Sequence, residues 1–102
     1  MVGADKRTAT RYERRIDIEY RVGDDWKPSK TRNLSLGGAL IACDEKLPNG
    51  ARVQLRFRVP TQKEPIEVGG QVRWVDSQGF GVQFDGLRAR DVWALGKFFE
   101  QP

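Results

Sequence analysis

The chain has 102 residues, of which 38% are hydrophobic and 31% are charged, and its formal net charge is +4. This length suits one small domain, and this composition excludes general disorder. The sequence has no histidine and a single cysteine, which excludes an internal disulfide and every nucleophile that depends on histidine. We therefore expect a binding module and not an enzyme.

No stretch of the sequence approaches the roughly 20 apolar residues needed to span a bilayer. Residues 1–10 also lack an apolar signal region. We therefore predict a cytoplasmic protein that does not insert into membranes. Residues 1–10 are polar and show no period, so we predict a flexible N-terminal arm there and one domain in residues 11–102.

Period-two alternation predicts the first strands. Apolar residues alternate with charged ones in residues 16–22. Residues 26–32 are polar, and Pro28 restricts a strand there to an edge because proline cannot donate to a ladder. Residues 33–38 are predicted as a turn. The apolar run at residues 39–43 is typical of a strand buried on both faces, with Cys43 as a core residue.

The second half of the chain begins with another alternating strand at residues 53–59. Four apolar residues then keep one parity across a pair of glycines; they are Ile66, Val68, Val72 and Trp74. We predict a bulge or bend at Gly69 and Gly70. Parity favours a core position for Trp74, with contact to a ligand as the alternative. Residues 80–84 alternate again and give a last strand.

After Gly86 the apolar spacing changes to three and four residues. This spacing predicts the buried stripe of one amphipathic helix, formed by Val92, Leu95, Phe98 and Phe99. About six strands with short turns and a terminal helix predict a small sandwich or barrel that the helix covers.

Two polar clusters can carry chemistry. The first is the arginine segment, residues 11–15, in which Arg11 and Arg15 are four residues apart with Arg14 between them. A guanidinium fork matches phosphate oxygens and the O6/N7 edge of guanine, and it stacks on a base. Such a pair is common in a basic chain, where both arginines are usually solvated surface residues. Arg7 and Arg11 have the same spacing of four and offer an alternative pair.

The second cluster lies in residues 33–38. The amide of Asn33 can donate and accept on a base edge, and the hydroxyl of Ser35 lies in reach of the same ligand. Gly38 has no Cβ, so a ligand can approach its backbone. Asn, Ser and Gly are also the usual residues of a plain turn.

The two clusters in this order, RxxxR, a strand, then [DN]xSxxG before another strand, resemble the PilZ family. The matching residues are Arg11, Arg15, Asn33, Ser35 and Gly38. Residues 70–75 and 79–84 look like the last two strands of that family. The resemblance implies an all-β fold, namely a six-stranded antiparallel β-barrel with a C-terminal α-helix.

The resemblance also implies a ligand, the second messenger cyclic di-GMP, with no catalytic cofactor. Arg11 and Arg15 would hold guanine and phosphate, with Asn33 on the guanine edge. Ser35 would contact the ligand, Gly38 would leave room for it, and Arg14 would assist from outside the defining pattern.

The implied activity is that of a sensor, which passes the ligand signal to a protein partner as the arginine segment becomes ordered. Two alternatives stay open: a PilZ-like adaptor that binds no ligand, and a small barrel that binds single-stranded nucleic acid. Duplex nucleic acid is not expected as a partner.

Overall fold

The computed structural model describes residues 11–45 and 47–101. Its strands are β1 (Asp17–Arg21), β2 (Trp26–Leu34), β3 (Gly38–Ala42), β4 (Arg52–Phe57), β5 (Ile66–Asp76) and β6 (Gly79–Phe84), followed by the helix α1 (Ala89–Glu100). The strands close into a barrel in the order β1-β2-β3-β6-β5-β4. Every neighbouring pair is antiparallel. The predicted fold is therefore confirmed, whereas the predicted arm at residues 1–10 lies outside the described residues.

Apolar side chains fill the barrel interior. The fully buried members include Ile18, Leu55, Ile66, Val72 and Phe80. They come from four strands and form one core cluster, as expected when alternate residues of every strand point inward. Because side chains occupy the interior of so small a barrel, a ligand has to bind on its outer wall.

The helix α1 packs Ala94, Leu95 and Phe98 into this core. The predicted place of Val92 on the buried stripe is wrong, since Val92 is 40% exposed. Asp91 is buried instead, and its carboxylate accepts hydrogen bonds from Gln62 and Arg88. These hydrogen bonds offset the cost of removing the carboxylate from water. The buried face of α1 therefore includes Asp91 in place of Val92. Within the described part of the chain, no helix is long and apolar enough to cross a membrane.

The strand β5 contains a bulge, but not at its glycines. Gly69 and Gly70 pair regularly with β4. The register against β6 shifts after Val72. Val72 pairs with Val82 and Trp74 pairs with Gly81, so two steps along β5 correspond to one step along β6. Arg73 is thus the extra residue, and the expected bulge or bend at the two glycines is corrected to a bulge at Arg73.

This bulge also corrects the predicted position of Trp74. One extra residue reverses the alternation of the side chains that follow it. Trp74 therefore leaves the core parity of Val72, and it is 37% exposed on the outer wall. Our prediction of core packing assumed that no bulge lies between Val72 and Trp74.

A second bulge lies in β2. Thr31 pairs with Ile41, whereas Asn33 pairs with Leu40, so Arg32 is the extra residue. Thr31 and Leu34 are both buried, and Asn33 between them is turned outward. The predicted turn at residues 33–38 therefore begins later, after Leu34, because Asn33 and Leu34 belong to β2.

Two smaller predictions concern Pro28 and Cys43. Pro28 is not in an edge strand of the closed barrel, but it lies before the paired part of β2 and β3 begins at Lys30. At Pro28 only β1 pairs with β2, through Glu19, so the missing N–H interrupts no ladder with β3. Cys43 packs against the core as predicted, and its sulfur lies 3.1 Å from the hydroxyl of Tyr20.

Candidate ligand-binding cleft

The outer wall formed by β2, β3, β6 and β5 carries a cleft of about 550 Å³. Its lining residues are Arg11, Asn33, Ser35, Gly37, Gly38, Ala39, Arg73, Trp74, Val82 and Gln83. Four of the six residues predicted from the sequence are thus brought together, namely Arg11, Asn33, Ser35 and Gly38. Arg14 and Arg15 do not line the cleft.

The two bulges explain how the cleft is built. Their register places one row of residues across four strands, in the order Asn33, Leu40, Gly81 and Trp74. Each bulge turns one end of this row outward, Asn33 on β2 and Trp74 on β5. The amide of Asn33 and the indole of Trp74 therefore lie at the two ends of this row, on the same outer surface.

The indole of Trp74 packs against β6 at Gly81, which has no side chain. A Cβ at Gly81 would collide with the six-membered ring of that indole. The guanidinium carbon of Arg11 lies 4.8 Å from a Trp74 ring centroid. This is a cation–π contact, and it holds Arg11 over the cleft. Arg73 and Gln83 were not predicted as lining residues, since only the pairing register reveals them. For Trp74, contact with a ligand was the less favoured of the two predictions.

The turn between β2 and β3 is held by Ser35, which is only 6% exposed. Its hydroxyl oxygen accepts hydrogen bonds from the backbone N–H groups of Gly37 at 3.1 Å and Gly38 at 3.0 Å. The backbone N–H of Ser35 donates to the carbonyl of Gly38 at 2.9 Å. The side chain therefore shapes the cleft wall in addition to lining it.

We expect Ser35→Ala to lower the free energy of unfolding by about 0.5–1.5 kcal/mol, the usual net value of a neutral hydrogen bond. Urea denaturation of both proteins measures this loss. The same variant should weaken ligand binding less than loss of an arginine, because the removed contact is uncharged. Unchanged stability would contradict the role of the hydroxyl in the turn.

Gly38 has a different role from the predicted one. A Cβ at Gly38 would collide with the carbonyl oxygen of Val82 in β6. The missing side chain is therefore required for close approach of β3 and β6, and it leaves no added space for a ligand. Gly37 lines the cleft beside it, and a Cβ there meets no atom within 4 Å.

Two side chains of the arginine segment, those of Tyr12 and Arg14, contact the helix α1. Tyr12 forms an isolated bridge with Leu34, and its ring stacks on Phe99 of α1 at 4.1 Å. Arg14 donates hydrogen bonds to the backbone carbonyls of Phe99 at 3.2 Å and Gln101 at 2.6 Å. Arg14 is thus engaged at the C-terminal end of the helix, where carbonyls lack helical partners and favour a cation.

The remaining arginines of the segment are exposed. Arg11 contacts Trp74, whereas Arg15 makes no hydrogen bond, ion pair or ring contact with any described residue. The backbone between them contacts β2, because the hydroxyl of Thr31 donates to the carbonyl of Arg14 at 2.6 Å. Ordering of this segment by ligand stays a prediction.

A larger groove of about 930 Å³ lies on another part of the wall, over β1, β2 and β4. It contains none of the predicted site residues. Two arginines line it: Arg56 is matched by Glu19, with Nε and Oε1 2.9 Å apart, and Arg58 donates to the carbonyl of Lys63 at 2.8 Å. Glu67 and Asp17 add further negative charge to the same groove, which makes it a poorer site for an anion than the cleft beside Trp74.

The family model that matches this chain is described as the PilZ domain, and it matches residues 5–101. The match includes both motifs, all six strands and the helix α1. The chain belongs to the PilZ domain family. This family comprises receptors of cyclic di-GMP and related adaptors, which are binding modules.

Solved structures similar to this PilZ domain support the fold. An inhibitor of motility from Bacillus subtilis, MotI/DgrA, has a TM-score of 0.75 and 20% identity over 88% of this chain. The match covers 47% of that protein, so this chain spans about half of its length. The PilZ domain of CeSA from a cellulose synthesizing bacterium has a TM-score of 0.67 and 15% identity, with 89% of this chain and 95% of that one covered. A search of curated proteins gave no match.

Proposed function

We propose that this PilZ domain binds cyclic di-GMP in the cleft beside Trp74 and acts as a cytoplasmic sensor that reports the level of this second messenger to a protein partner. The observation that carries the proposal is the convergence of Arg11, Asn33 and Ser35 on one cleft that also offers an aromatic surface. Together with Trp74, these residues come from three separate parts of the chain.

The chemistry of the cleft suits a guanine base. The indole of Trp74 offers a surface on which a base can stack. A guanidinium fork can donate to O6 and N7 of guanine, and Arg11 already lies over the indole. The amide of Asn33 can donate and accept on the remaining base edge. The exposed charge of Arg15 is available to a phosphate beside the base.

Calorimetric titration with cyclic di-GMP tests the proposal, with GTP and cyclic di-AMP as controls. We expect saturable binding of cyclic di-GMP and much weaker binding of cyclic di-AMP. Adenine presents the N6 donor where guanine presents the O6 acceptor, so an arginine fork meets a donor. Equal affinity for the two dinucleotides would refute readout of the guanine edge and leave phosphate attraction. No binding of cyclic di-GMP would favour the adaptor alternative.

The contacts of the arginine segment support a route for the signal. Ligand held by Arg11 and Arg15 would pull on the same backbone that carries Tyr12 and Arg14, whose side chains contact α1. Hydrogen exchange on the free and bound protein measures the response. Protection should rise in the arginine segment and in residues 33–38, while β4 on the far side of the barrel should change little.

A further inference from the structure

We infer that Arg73 is a phosphate-binding residue of the cleft beside Trp74, for a phosphate that the arginine segment does not hold. This inference rests on the proposed binding of cyclic di-GMP and extends it to a residue outside both sequence motifs.

A regular strand would place Arg73 and Trp74 on opposite faces. The bulge places both on the outer wall, where both are exposed and both line the cleft. Two adjacent residues of one strand therefore serve the same surface. One of them offers an aromatic ring, and the other offers a guanidinium.

The partners of the arginines distinguish Arg73 from most of the others. Within residues 11–45 and 47–101, seven arginines have a carboxylate or backbone carbonyl partner; they are Arg14, Arg32, Arg52, Arg56, Arg58, Arg88 and Arg90. Arg73 has only the side-chain amide oxygen of Gln71, at 3.5 Å. Arg11 and Arg21 have ring contacts with Trp74 and Trp26, and Arg15 has no partner among the described residues.

Arg32 provides a matched comparison, because it is the extra residue of the other bulge. Its guanidinium approaches the carboxylate of Asp76 at 4.0 Å. Arg73 has no such carboxylate within the described ranges. The two bulges thus present one arginine with a carboxylate at ion-pair distance, although its Nη1 makes no hydrogen bond, and one arginine with no carboxylate at that distance among the described residues.

Two guanidinium groups that line one cleft without a carboxylate repel each other, and anions bound in that cleft remove that repulsion. Base recognition is already supplied by Trp74 and Asn33. A cyclic dinucleotide carries two phosphates, and the arginine segment provides for one of them. The fork of Arg73, which comes from a different strand, is placed to bind the other bidentately.

The test compares Arg73→Ala and Arg73→Lys with a control, Arg21→Ala. The control removes the same charge from a second arginine that lies over a tryptophan ring but does not line the cleft. We expect Arg73→Ala to weaken cyclic di-GMP binding by about tenfold or more. Arg73→Lys should recover part of the loss, since lysine keeps the charge and loses the fork. Arg21→Ala should stay within about twofold of the unsubstituted protein on the same scale.

If the unsubstituted protein binds and Arg73→Ala binds as well as Arg21→Ala, the inference is wrong while the proposed function stands. If the unsubstituted protein does not bind cyclic di-GMP, the proposed function is wrong. NMR titration with inorganic pyrophosphate then tests whether Arg73 binds phosphate. Saturable shifts of the Nε–H signal of Arg73, but not of that of Arg21, would support the inference, and unchanged signals would overturn it.

Discussion

Replacing Arg11 with alanine is expected to weaken cyclic di-GMP binding by about tenfold to more than a hundredfold. A hydrogen bond to a charged group contributes roughly 1.5–3 kcal/mol, and each tenfold change in affinity corresponds to about 1.4 kcal/mol. Arg11 also lies on Trp74, so its loss removes a stacking partner from the base site. Arg15→Ala should weaken binding within the same range, because its exposed guanidinium has no competing partner among the described residues.

Calorimetric titration measures both losses, and circular dichroism verifies that each variant keeps its fold. Arg14→Ala is the informative control within the same segment. Arg14 contacts the carbonyls at the end of α1, so its loss should lower the melting temperature and affect binding less than loss of Arg11. Affinity equal to that of the unsubstituted protein in both Arg11→Ala and Arg15→Ala would refute the assignment of the cleft.

Replacing Gly38 with alanine is expected to destabilise the barrel by about 1–3 kcal/mol, the usual cost of forcing atoms into packed structure. The added Cβ would collide with the carbonyl oxygen of Val82, and Gly38 pairs with Gln83 in the same ladder. The strands β3 and β6 would have to separate at the rim of the cleft. In a domain of this size, each kcal/mol lowers the melting temperature by roughly 4–8 °C.

The neighbouring glycine provides the control. A Cβ at Gly37 meets no atom within 4 Å, so Gly37→Ala should leave stability nearly unchanged. Thermal unfolding of the two variants under the same conditions compares their melting temperatures. It distinguishes a packing requirement at Gly38 from a destabilising effect of any side chain in this turn. Equal losses in both variants would contradict the strand-contact role of Gly38.

Period-two alternation located β1, β4, β5 and β6 and the core positions of residues such as Ile18 and Val68, while β3 was predicted from its apolar run. The alternation failed where one strand contains one more residue than its neighbour. The bulges at Arg32 and Arg73 cannot be predicted from the sequence of their own strands, because an extra residue is defined only by the pairing with the neighbouring strand. Asn33 was found through its motif despite this, whereas Trp74 belongs to no motif and was assigned to the wrong face.

The site was predictable to the extent that its residues are close in sequence. Ser35 and Gly38 belong to one turn, and their motif located the cleft wall. Arg73 reaches the same cleft through barrel closure, which no local pattern contains. The buried face of α1 was misplaced for a related reason: the partner that makes Asp91 acceptable in the interior, Gln62, lies in a distant loop.

The closed and filled barrel has a consequence for how a bound nucleotide would be recognised. A cleft on an outer wall cannot enclose its ligand, so one side of the nucleotide would stay in contact with solvent. A partner protein that docks there would touch nucleotide and barrel together, as a joint epitope. Thermodynamic reciprocity then requires the partner to raise the affinity for the nucleotide by the same factor by which the nucleotide raises the affinity for the partner. The nucleotide would thus stabilise the complex of the two proteins, and its apparent affinity would rise with the concentration of the partner.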